Sequence, residues 1–181
     1  MGTLVVTSFI TLDGVVEAPE RWSFPYWNDR IERFKNEELQ ASAAHLLGRV
    51  TYETFAQAWP SRSGFYADRL NAADKYVVST TLRDARWTHT RIVGGFDELR
   101  AGMRELKQRH DGDVLVHGSR SLVGSLMQHD LVDTYHLLVY PLVLGQGRRL
   151  FMPGTNARLK LASSTEMGSG VMLLVYRREE R

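Results

Sequence analysis

The chain of 181 residues carries 23 Lys and Arg against 21 Asp and Glu, a formal net charge of +2, with 43% hydrophobic and 24% charged residues. That length suits one domain, residues 1–181, around one core, and the composition excludes a disordered or collagen-like chain. Cysteine is absent, which excludes disulfides and thiolate metal sites, and the basic residues form no patch of the kind a nucleic-acid binder concentrates.

The opening stretch GTLVVTSFITL has no basic leader and meets Asp13 at once, so it reads as a strand over Thr3 to Leu12 rather than an export signal. Nowhere does an apolar run approach the roughly 20 residues that span a bilayer. A cytoplasmic protein without membrane or nucleic-acid partners is expected. The six histidines (45, 89, 110, 117, 129, 136) show no HxxxH or HxH spacing, so no metal is expected. A long connection, VVEAPERWSFPYW, mixes aromatics with prolines, and Asn28 then makes an N-cap for a helix through Ile31, Phe34, Leu39 and Ala43. His45 to Gly48 reads as a strand, and Arg49 to Trp59 as a helix stopped by Pro60. A polar loop follows. Strands at Lys75 to Ser79 and Arg91 to Val93, a helix at Phe96 to Arg109, a strand at 113 to 117 and a helix at 119 to 129 complete an alternating order. From Thr134, three extended segments (TYHLLVYPLVLG, LKLASSTEM, GVMLLVYRR) have no helix between them and predict antiparallel pairing. The fold class is therefore α/β, a three-layer α-β-α domain on a mixed, mostly parallel sheet with an antiparallel C-terminal hairpin.

Three strand ends carry anion-binding chemistry, where open α/β sheets place ligands. Gly118 and Ser119 precede a helix whose free N–H groups suit a phosphate, or else form a glycine turn with a serine cap. Leu47-Gly48-Arg49-Val50-Thr51 runs a strand through glycine into another helix. A cation in that first turn opposes the helix dipole, so Arg49 awaits a negative ligand unless it pairs with a nearby carboxylate. Ser79-Thr80-Thr81 offers hydroxyls just past a strand, for a ligand or for capping. Together they describe separate phosphate contacts without the GxGxxG turn of the common dinucleotide fold. Asp13 is a candidate proton donor or a turn aspartate. Trp22, Phe24, Tyr26 and Trp27 wall a flat heterocycle or pack their own loop. The stretch YPLVLGQGRRLF precedes no helix and reads as a tight hairpin rather than a phosphate loop.

The segments TSFITLDGVVEAP, LLGRVTYE, KYVVSTTL, VLVHGSRSLVGSLM and LVDTYHLLVYPLVLGQGRRLF, in this order and spacing, resemble the dihydrofolate reductase-like superfamily, closest to the C-terminal domain of the deaminase-reductase of riboflavin biosynthesis. The resemblance implies about eight strands and an NADPH-dependent reductase acting on a small pyrimidine- or pterin-like substrate, with a homodimer built on the late strands. It places Gly48, Arg49 and Thr51 on the phosphates and Ser79, Thr80 and Thr81 on the adenosine 2′-phosphate. Gly118, Ser119 and Arg120 fall at the pyrophosphate, with Leu122 also on the cofactor, Gly94 at the adenosine edge, Phe9 and Val16 beside the nicotinamide, and Trp27 and Phe34 toward the substrate. The acid that folate reductases carry early in the first long helix falls on Arg30, beside Asp29. The aspartate of the pyrimidine reductases is absent from YETFAQAWPSR. Asp13 is then the catalytic candidate, and a regulatory module that kept the fold without turnover is the alternative.

Overall fold

The β-branched run at the N-terminus becomes strand β1 (Leu4–Thr11), at the heart of an eight-stranded sheet. The structure is a computed structural model and describes residues 2–179. The other strands are β2 (Ser42–Gly48), β3 (Asp74–Val78), β4 (Thr90–Val93), β5 (Asp113–Val116), β6 (Thr134–Tyr140), β7 (Leu159–Glu166) and β8 (Met172–Arg178), in the order β4-β3-β2-β5-β1-β6-β8-β7. The first six in that order run parallel, in five neighbouring pairs. Only β8 and β7 are antiparallel to their partners. The strand opening at Thr134 is thus not part of a separate antiparallel tail: β6 runs parallel to β1, with Thr7 opposite His136 and Phe9 opposite Leu138. Its β-branched and aromatic residues suit either neighbour, and the direction follows from the α-helical crossover before it.

Five α-helices cover the sheet among the described residues. On one face, α4 (Phe96–Arg109) and α5 (Arg120–Gln128) bury Leu99, Met103, Leu122 and Leu126 against Leu4, Val6 and Val116. On the other lie α1 (Asp29–Ala41), α2 (Arg49–Ala58) and α3 (Phe65–Ala72), with Ile31, Leu39, Tyr52 and Leu70 against Leu47, Val77 and Leu138. Helix α1 begins where Asn28 Oδ1 accepts the N–H groups of Arg30 and Ile31, at 2.9 and 3.2 Å. Asn28→Ala should lower stability by about 1 kcal/mol in chemical denaturation; an unchanged midpoint would show that packing alone fixes this helix.

Helix α3 lies inside the stretch that reads as a polar loop. Its buried stripe is only Ala67 and Leu70, too short to give a period in sequence. Its C-terminus is closed by Lys75, whose buried ammonium donates to the carbonyls of Leu70, Asn71 and Ala73 at 2.9, 3.0 and 2.7 Å. Residues 141–151 form no hairpin either. They dock on the loop after β1, with Val15 bridging to Arg149 and the N–H groups of Leu144 and Gly145 donating to Asp13. No helix among the described residues is long and apolar enough to cross a membrane.

Candidate functional site

Helices α2, α4 and α5 all begin at the carboxyl ends of parallel strands, and all three open on one cleft of about 350 Å³. Their N-cap residues, Gly48, Gly95 and Ser119, make no side-chain cap hydrogen bond; of the two helices that begin away from the cleft, α1 is capped by Asn28 and α3, behind Gly64, is not. Each uncapped helix offers unpaired N–H groups and the positive end of its dipole. The cleft is thus ringed by donors that lack protein acceptors.

Gly48, Arg49, Ser79, Thr80, Thr81, Ser119 and Leu122 line this cleft. Gly48 is the closest approach: a Cβ there would lie 2.4 Å from Ser119 Oγ and 2.9 Å from Ser119 N, while its own N–H donates to Gly118 O at 2.9 Å. Thr51 sits just behind, its Oγ1 3.2 Å from where a Gly118 Cβ would be. The Gly118-Ser119 peptide is cis. Arg120 is the first residue of α5, half-buried and outside the cleft lining. Gly95 lines the cleft rather than Gly94, whose N–H is taken by Glu98 Oε2 at 2.8 Å. A Gly95 φ of 124° explains why glycine stands there.

Both readings of Arg49 and Ser79 find support in the geometry. Arg49 Nη1 contacts Glu53 Oε1 and Oε2 at 2.9 Å, an exposed pair one turn apart, and faces the cleft as well. Such a pair is worth only about 0.3–0.5 kcal/mol, so an anion can displace it. Ser79 Oγ accepts the N–H groups of Thr81 and Leu82 at 3.2 and 2.9 Å, capping the turn while its residue walls the cleft.

Asp13 holds a turn. Its carboxylate accepts from Thr11 Oγ1 at 2.6 Å and from Gly145 N and Leu144 N at 2.9 and 3.2 Å, and these donors, Thr11 first, bring its pKa down to about 2. An acid so held is ionised at neutral pH and ill suited to donate a proton. Val16 packs on the α4–α5 side of the core, its N–H donating to Arg148 O. Phe9 lies on the opposite face, its ring 6.3 Å from Trp27 and 5.5 Å from Tyr140, and Phe34 stands 5.8 Å from His136. Trp27 is exposed, while Trp22 is buried against Tyr140.

Between α1 and the sheet lies a buried polar group that the sequence reading missed. Lys35 Nζ donates to Thr7 Oγ1 at 2.9 Å and forms a short contact with Glu38, whose other oxygen accepts from His136 Nδ1 at 2.7 Å. Burial opposes ionisation of Glu38, but the Lys35 charge and the His136 hydrogen bond outweigh it and bring its pKa down to about 2. Next to them, His45 and His117 share a hydrogen bond of 3.0 Å, and burial keeps both neutral. The signal in sequence was the spacing: 31, 35, 38 and 39 form one inward stripe, and two of its four positions are charged. The acid facing inward from α1 is therefore Glu38, two turns beyond the solvent-exposed Asp29 and Arg30.

A family model described as the RibD C-terminal domain matches residues 2–173. Two Bacillus subtilis (strain 168) proteins are similar: Uncharacterized protein YwjB, 28% identical over 169 residues (91% of each chain), and Uncharacterized protein YyaP, 26% identical over 137 residues (72% of this chain, 71% of the relative). Among solved structures, a Shewanella sp. PV-4 protein named for riboflavin biosynthesis superposes with a TM-score of 0.78 at 16% identity, covering 98% of this chain and 99% of that one. Dihydrofolate reductase from Enterococcus faecalis, complexed with NADP(H), gives 0.68 at 15% identity over 99% and 98%. At these identities the structural likeness establishes the dihydrofolate reductase-like fold alone. The family model spans the first seven strands and the start of the eighth, and on that match the chain belongs to the RibD C-terminal domain family.

Proposed function

We propose that the protein is an NADPH-dependent reductase that delivers hydride to a polarised C=N or C=O bond of a small heterocyclic substrate in the cytoplasm. One observation carries the reading: three helix N-termini without side-chain caps converge on a single cleft at the strand ends. Such a cleft suits a ligand with several phosphates, one near each helix end. The residues fit the group. Gly48 keeps the strand end and α5 close enough to share a phosphate, Arg49 supplies a cation, and Ser79 to Thr81 add hydroxyls at the far end. The dihydrofolate reductase of similar fold carries NADP(H), which supports the same reading here.

Bound NADPH would supply the hydride, and the chain supplies placement. The helix termini would hold the phosphate end, and Phe9, two residues before the end of β1, would stand on the side of the ring. A substrate held on the α1 face would need to come within about 3–3.5 Å of the hydride donor. Strand β7, exposed along nearly all its length and with Leu161 48% exposed, supports a homodimer through the late strands.

Fluorescence titration of NADPH against the wild type and Arg49→Ala tests the cofactor reading. Loss of a charge-assisted phosphate contact should cost about 1.5–3 kcal/mol, roughly ten- to a hundredfold in affinity. Equal affinities for the two proteins would count against it.

A further inference from the structure

We propose that Lys35 is the group that reads the substrate, its free N–H donating to a carbonyl or oxyanion oxygen on a flat ring held within the aromatic side chains around it. This rests on the reductase reading and names the class of ring the site would take.

An ammonium has three donors, and Lys35 uses two, on Thr7 and Glu38. The third has no acceptor among the described residues. Two aromatic rings flank this charge. Phe9 and Phe34 lie 5.7 and 5.9 Å from Nζ. A second run of aromatics on the same face of the sheet goes from His117 to Phe55 at 5.5 Å, from Phe55 to Trp59 at 6.3 Å and from Trp59 to Tyr66 at 5.1 Å. Phe9, Phe34, Phe55, Trp59 and Tyr66 are each only half-buried, so neither group of aromatics is closed over by the fold itself.

The competing account is a structural ion pair tying α1 to β1 and β6. A buried pair is seldom the most stable filling for such a place, since apolar residues of equal size do as well or better. Here the cation also stands near both Phe9, on the expected nicotinamide side, and Phe34, on the expected substrate side. Glu38, locked by His136, holds the ammonium in place and ionised. A fixed cation favours an oxygen acceptor and repels a protonated ring nitrogen, so the site should distinguish two rings of one shape by their exocyclic atoms alone.

The test compares pteridine-2,4-dione with 2,4-diaminopteridine by calorimetry, each titrated into the full chain with and without saturating NADP+. The wild type should bind the dione at least about tenfold tighter than the diamine. The double variant Lys35→Met/Glu38→Gln, which leaves no lone buried charge, should lose that preference while its NADP+ affinity stays unchanged. Tighter or equal binding of the diamine, no binding of the dione at millimolar levels, or a preference that survives in the folded double variant would each overturn the proposal. If the double variant fails to fold, the wild-type comparison decides alone. NADP+ that fails to bind would instead sink the reductase reading, and the cofactor-free titrations still score the ring preference.

Discussion

Replacing Glu38 by alanine should destabilise the protein by on the order of 3–5 kcal/mol, because it strands the Lys35 ammonium in a site where the side chain is 9% exposed. Thr7 alone cannot replace a carboxylate, and His136 loses its acceptor at the same time. For a domain of this size the loss corresponds to a fall in Tm of roughly 10 °C in a calorimetric scan. Removing both charges, Lys35→Met with Glu38→Gln, should recover most of it, since no unpaired ion is then left inside. A single substitution that leaves Tm within a degree or two would mean that water reaches the pair. The same carboxylate sets an acid limit. Its pKa is lowered on folding from 4.5 to about 2, so its contribution is complete above the unfolded value and is lost as pH falls toward about 2. The wild type should lose stability over that window, and the double variant should show a shallower slope there.

Gly48→Ala should remove cofactor binding. A Cβ at this place would meet Ser119 Oγ at 2.4 Å, Ser119 N at 2.9 Å and Ser119 Cβ at 3.0 Å, and two of those atoms belong to the turn that starts α5 and cannot rotate away. Either β2 or the N-terminus of α5 must retreat. The strain should cost on the order of 1–3 kcal/mol in stability. Its effect on the ligand is larger, because the helix N–H groups act only at hydrogen-bond distance. NADPH affinity is expected to drop by about a hundredfold or more. Val78, on the neighbouring strand and also lining the cleft, supplies a control: Val78→Ala removes a methyl pair without obstructing the turn and should leave binding within a fewfold. Equal loss from both substitutions would contradict the role given to Gly48.

Much of this architecture is legible in the chain because local signals and the global fold agree. Strand β1, the Asn28 cap, and the strand-glycine-helix junctions at Gly48 and Ser119 are each written in a few adjacent residues. What escapes is set by distant partners. Helix α3 depends on Lys75, three residues beyond its end, to receive its last carbonyls, and its own stripe is two residues wide. The direction of β6 is set by the crossover that carries it beside β1, about 130 residues away, not by its composition. Asp13 resembles a proton donor in sequence only because its three donors, from Thr11 and residues 144–145, cannot be seen there. Lys35 and Glu38 are the converse case: two charges on an apolar stripe break the helical pattern, and a break of that kind marks a place where something other than packing is selected.

The helix termini around Gly48, Gly95 and Ser119 are proposed to bind the phosphates of NADPH jointly. Calorimetric titration of the wild-type protein, stripped of any bound nucleotide, with NADPH at low and at raised salt tests it most directly. A single saturable site whose affinity weakens as salt rises is the predicted result, since the contacts are largely electrostatic. Absence of saturable heat at millimolar NADPH would contradict the account.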